Sequence, residues 1–102
     1  MEQISKPSSI EMEHIFNDSI KYLIEKGIKF SFELINKDTS YKVINCTELG
    51  LFLIMGFDKM PYGDEPKSIT LTDNSSLTID VNSLEEIIRF IDIRTKNTKK
   101  EL

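Results

Sequence analysis

One histidine and one cysteine, His14 and Cys46, are the only residues of their kinds in this 102-residue chain. A hydrolase of the Ser–His–Asp or Cys–His type needs a base within reach of its nucleophile. A helical reading of residues 9–26 places His14 on a polar side with Glu11, Asp18, Lys21 and Glu25. Cys46 ends an apolar strand pattern, where a small buried thiol is the ordinary outcome. No nucleophile–base pair is therefore predicted. Structural zinc takes four ligands drawn chiefly from Cys and His, and two are too few. The stretch "DKMPYGDEP" (58–66) lacks the alternating oxygen ligands and closing glutamate of a calcium loop. Gly50, Gly56 and Gly63 are scattered, and none opens a helix as a phosphate cradle does. The neighbouring carboxylates Asp64 and Glu65 are what remains for general acid–base work. In a solvated, proline-bounded loop their pKa values stay ordinary, whereas catalysis wants them displaced. No catalytic, metal or cofactor-binding residue is assigned.

The elements that must position any site follow from periodicity. "SSIE" reads as a capping box, with Ser8 as cap and Glu11 three residues on. A helix to about Lys26 follows, stopped by Gly27, with Met12, Ile15, Phe16, Ile20 and Leu23 on one stripe. "IKFSFELIN" and "SYKVINC" alternate around the turn residues "NKDT" and predict a hairpin. "LFLIMGF" is continuously apolar, as expected of a central strand covered on both faces. Residues 58–67, with Pro61, Gly63 and Pro66, read as a loop. "SITLT" and "LTIDV" form a second hairpin across "DNSS". Ser83 and Glu86 then repeat the capping logic for a final helix whose stripe is Leu84, Ile87, Ile88 and Ile91. The predicted fold is α+β: an antiparallel sheet of about five strands with an N-terminal and a C-terminal helix packed on it. Residues 1–7 read as a flexible arm, 8–94 as a single domain and 95–102 as a basic flexible tail.

Charge separates along the chain. Residues 1–93 hold sixteen acidic and nine basic side chains, while 94–102 hold four basic and one acidic. An acidic body repels phosphates, and its field steers basic partners toward it, so direct nucleic-acid binding is not expected. Lys29 beside Phe30 and Phe32 makes no stacking platform, because strand alternation sends lysine and phenylalanine to opposite faces. No apolar run approaches the ~20 residues of a membrane helix. The polar, acidic start is unlike a secretory signal, and a lone cysteine suits a reducing compartment, so the expected location is the cytoplasm.

Recognition is the remaining role for the segment 58–67. Tyr62 and Met60 offer contact area, and Asp58, Asp64 and Glu65 surround them with negative charge. Asp73, Asp80 and Glu85 extend the acidic stretch and complete the expected partner-binding set. By this profile, over residues 8–94, the chain resembles the small acidic bacterial immunity proteins that neutralise nuclease toxins, including those of contact-dependent growth inhibition. The resemblance implies a basic protein partner, a cognate nuclease toxin, whose active-site groove is covered by an acidic surface. It carries no signature residue. Two other expectations stand beside it: a phage or plasmid counter-defence protein that blocks a host nucleic-acid enzyme, and a small enzyme using the Asp64 and Glu65 carboxylates.

Overall fold

Ser8 starts the first helix as the sequence predicts. The computed structural model describes residues 7–36, 40–73 and 77–100, the last four through their backbone only. Nearly all of the expected arm, and residues 101–102, lie outside the described residues. Helix α1 spans Ser9–Lys26, and its capping box is complete. The Ser8 hydroxyl accepts from the Glu11 N–H at 3.2 Å, and the Glu11 carboxylate accepts from the Ser8 N–H at 2.9 Å. That bond to the Ser8 backbone holds the Glu11 carboxyl below its ordinary range. Gly27 ends the helix at φ +70°, a conformation that costs glycine nothing, and the Ile28 N–H closes onto the Leu23 carbonyl at 2.9 Å.

Five strands follow: β1 (Ser31–Asn36), β2 (Ser40–Cys46), β3 (Leu51–Met60), β4 (Gly63–Asp73) and β5 (Thr78–Asp80). A single 3₁₀ turn, Thr47–Leu49, joins β2 to β3. The sheet order is β1-β2-β3-β4-β5 and every pairing is antiparallel, so each strand neighbours its sequence successor. Helix α2 (Leu84–Lys100) closes the chain. Its start is held by Glu86, whose carboxylate accepts from the N–H groups of Asn82 and Ser83. The α+β architecture is thus the predicted one.

Register explains the core. Ile44 lies opposite Leu53, and Leu53 opposite Leu71; Cys46, Leu51 and Asp73 form the next row. Both helices pack on this one face. Phe16 from α1 and Ile87 from α2 are buried to 1% exposure beside Ile44 and Met55, which places the centre of the core between the helices and β2–β4. Ser19 joins the buried stripe because its hydroxyl donates to the Ile15 carbonyl at 2.7 Å.

Three expectations are corrected. Strand β3 is covered on one face only. Phe52 and Ile54 point to the other side, where Val43, Thr70 and Thr72 of the flanking strands shield them to half-burial. Residues 58–67 are not a loop but the continuation of β3 and β4 around a two-residue turn. Helix α2 continues through residues 95–100, past the boundary expected at 94, with the Thr95 hydroxyl bonded to the Ile91 carbonyl.

The two helices are joined by a hydrogen bond from the Tyr22 hydroxyl to Asp92. That bond pushes the Tyr22 phenol up to about 12 from its ordinary 10. The folded-state value is the higher one, so the contribution is complete below pH 10 and is lost as pH rises from there toward 12. Urea unfolding across that window is expected to show a fall in stability that Tyr22→Phe reduces.

Candidate functional site

Strand β2 stops pairing with β3 at Ser40 and Phe57, and β5 reaches only Thr70 to Thr72 of β4. Beyond those points β3 and β4 continue alone as a two-stranded ribbon, with Asp58 opposite Glu65, Lys59 opposite Asp64 and Met60 opposite Gly63. An irregularity after Gly56 leaves Lys67 as an extra residue on β4. Pro61 and Tyr62 make the turn, where proline presets the backbone, and Gly63 leaves it at φ +129°.

Tyr62 stands at the tip, 75% exposed, yet its ring is held. Its hydroxyl donates to Glu65 Oε2 at 2.6 Å, while the Ser9 hydroxyl lies 3.0 Å from both Glu65 Oε1 and the Pro66 carbonyl. One carboxylate therefore ties the tip of the ribbon to the start of α1. The bond from Tyr62, then that from Ser9, lowers the Glu65 pKa, and the same bond raises that of Tyr62. A lowered carboxyl keeps its charge and is a poorer general acid at neutral pH. Two carboxylates face to face across strands repel. Here each has its own partner: Glu65 has Tyr62 and Ser9, and Asp58 has Lys67 at 3.5 Å.

The helices bring further acids to this end. Ser9 bonds the ribbon, Met12 and Asn82 line one cleft, and Tyr22 meets Asp92, so α1 and α2 run in the same direction away from it. The exposed Asp80, at the end of β5, and Glu85, in the first turn of α2, consequently lie at the same end as Asp58, Met60, Asp64 and Glu65. Glu11, Glu13 and Glu86 join them, three residues the sequence reading left out of the site. The signal for Glu11 and Glu86 is the preference for acids in a first helical turn, and Glu13 carries none. Among the described residues the lysines at this end are Lys42, Lys59 and Lys67. Beside the ribbon runs a groove of ≈320 Å³ lined by Glu13, Lys42, Phe57 and Asp64, with the Lys42 ammonium 5.4 Å from the Phe57 ring centre.

Asp73 belongs elsewhere. It lies at the far end of β4, 9% exposed, where it accepts from Arg94 at 2.7 Å and from the Leu77 N–H at 2.9 Å. These bonds take it out of the expected contact surface. Lys26, Lys29, Arg94 and Lys96 lie toward that far end with Glu25, Glu48 and Asp73, so the described charges nearly balance there while acids outnumber lysines at the ribbon end.

His14 is exposed on α1, and Cys46 is buried in the core beside Ser19 and Leu23. Burial, and secondarily the charge of Glu48, raises the thiol to about 11, which keeps it protonated at neutral pH. Among the described residues no group of three or more His, Cys, Asp or Glu side chains is placed to hold a metal ion. No helix there is long and apolar enough to cross a membrane. Comparisons with protein-family models, with curated proteins and with solved structures found no match to this chain.

Proposed function

We propose that this chain is a binding protein that occludes a basic groove on another protein, an immunity protein of the contact-dependent growth inhibition type acting in the cytoplasm against a nuclease toxin. The observation that carries the reading is the ribbon tip: an aromatic side chain three-quarters exposed but fixed by Glu65 and Ser9. Exposed tyrosines that are already ordered lose little conformational freedom on binding, and such residues dominate interface energetics. The acids of the ribbon and of both helix starts lie at the same end of the molecule as that anchor. Their field favours approach by lysine- and arginine-rich surfaces, the kind a nuclease uses to hold phosphates.

The test is whether a neighbouring reading frame encodes a domain toxic to cells that lack this chain, whether this chain protects against it, and with what kinetics the two bind. Tyr62→Ala is expected to weaken binding by ~30-fold, the loss typical of an interface hot spot. Replacing Asp64 and Glu65 by lysine is expected to slow association at least ~10-fold at low salt, with the difference shrinking as salt screens the charges. A neighbouring domain that is harmless to unprotected cells defeats the proposal. So does protection that survives all three substitutions.

A further inference from the structure

The two edges of the sheet are not alike. Strand β5 has three residues, and the chain leaves its end at Asp80 for α2. Strand β1 has six, and of the usual devices that keep an edge from pairing it carries no proline, lysine or irregularity of register and a single charged side chain, Glu33. The helices also stop short of it. Helix α1 packs chiefly on β4 and β3, and its reach to β1 is the edge-to-face contact of Phe16 with Phe32 at 6.4 Å. On the helix-bearing side of β1, Phe32 remains 50% exposed and Leu34 62% exposed. The core layer is unfinished at this edge.

We propose that two copies of this chain pair antiparallel through β1, about a two-fold axis at Leu34, to give one continuous sheet of ten strands with all four helices on one side. The symmetry restricts the register. A two-fold axis normal to the sheet keeps every side chain on its own face, so one residue of β1 must lie opposite its own counterpart. Axes at Phe32 or Ile35 pair only three residues of the strand; axes at Glu33 or Leu34 pair five. An axis at Glu33 sets two carboxylates directly opposite each other, which is unfavourable. An axis at Leu34 sets leucine on leucine, Phe32 on Asn36 and Glu33 on Ile35. Glu33 thus selects the register, and the two most exposed apolar groups on this side of the strand become covered. The ribbon is formed by β3 and β4 rather than by β1, although the groove at its base is lined by Leu34 and Asn36 as well as by Asp64.

The experiment uses the full chain in a Cys46→Ser background. Residues directly opposite in a sheet have Cβ atoms ~5 Å apart, so Leu34→Cys is expected to give a covalent dimer on mild oxidation or with a short bis-maleimide. Ser31→Cys is the control, since its two copies lie ~20 Å apart in this register. Leu34→Lys, at an exposed position, is expected to leave the circular dichroism spectrum unchanged and to weaken self-association at least tenfold in analytical ultracentrifugation. A chain that stays monomeric at every concentration overturns the proposal. A dimer that persists in Leu34→Lys, or that links equally well through Ser31→Cys, overturns it too.

Discussion

Phe16→Ala is expected to destabilise the fold by ~3–5 kcal/mol, the range for emptying a fully buried aromatic site. Phe16 is 1% exposed and sits where α1 crosses the sheet, so neighbouring side chains cannot relax into the space without moving the helix. Domains of this size are stable by only ~5–15 kcal/mol, and the loss takes a large part of that margin. The ring also holds β1 through its edge-to-face contact with Phe32, so its removal loosens the outer strand. Phe16→Leu, which keeps most of the volume, is expected to cost about 1 kcal/mol. Urea unfolding followed by circular dichroism gives both values, and equal midpoints for the wild type and Phe16→Ala contradict the packing described.

The second large effect belongs to Asp73. Its carboxylate does two tasks: one oxygen accepts from Arg94 and the other from the Leu77 N–H that closes the β4–β5 connection. Arg94 also reaches the Leu49 carbonyl at 3.4 Å, so a single ion pair links α2, β4 and the turn before β3. The Asp73 side chain is 4% exposed and the Arg94 side chain 33% exposed. Asp73→Ala leaves a partly buried arginine without this acceptor and is expected to cost ~2–3 kcal/mol, less than a fully buried pair because Arg94 retains water contact. Asp73→Asn, which keeps the bond from Leu77, is expected to cost less. Were Asp73 part of the partner-binding surface, Asp73→Ala would slow association with the toxin domain at unchanged stability; the opposite pattern is expected here.

The helix starts were legible because capping is local: Ser8 with Glu11, and Ser83 with Glu86, are three residues apart, and no tertiary contact is needed to read them. The inner strands were legible because one face is buried, which imposes a period of two on β2 and the inner part of β4, whereas β1 alternates in sequence with neither face buried. The ribbon was not. Residues 58–60 and 63–65 have solvent on both faces, so no alternation is selected, and the two prolines argue against strand by composition. Both are tolerated for local reasons, Pro61 because it presets the turn and Pro66 because β5 does not reach its side of β4. Within the candidate site, Asp58, Tyr62, Asp64 and Glu65 stood together in the chain and could be grouped by eye. Glu11 and Glu13 could not, because only the docking of α1 across a separation of 56 residues brings them there.

The strictly successive strand order also bears on how the molecule assembles. Every strand pairing joins sequence neighbours through a short connection, so the sheet grows by zippering, with little loop entropy lost at each step. The distant contacts are those of the helices, such as the bond from Tyr22 to Asp92 across a separation of 70 residues. Ile87 and Ile91, which complete the interior, lie in α2 and so follow all five strands in the chain. A meander formed before α2 docks leaves its apolar side open, and Ile87 and Ile91 cover it when that helix packs.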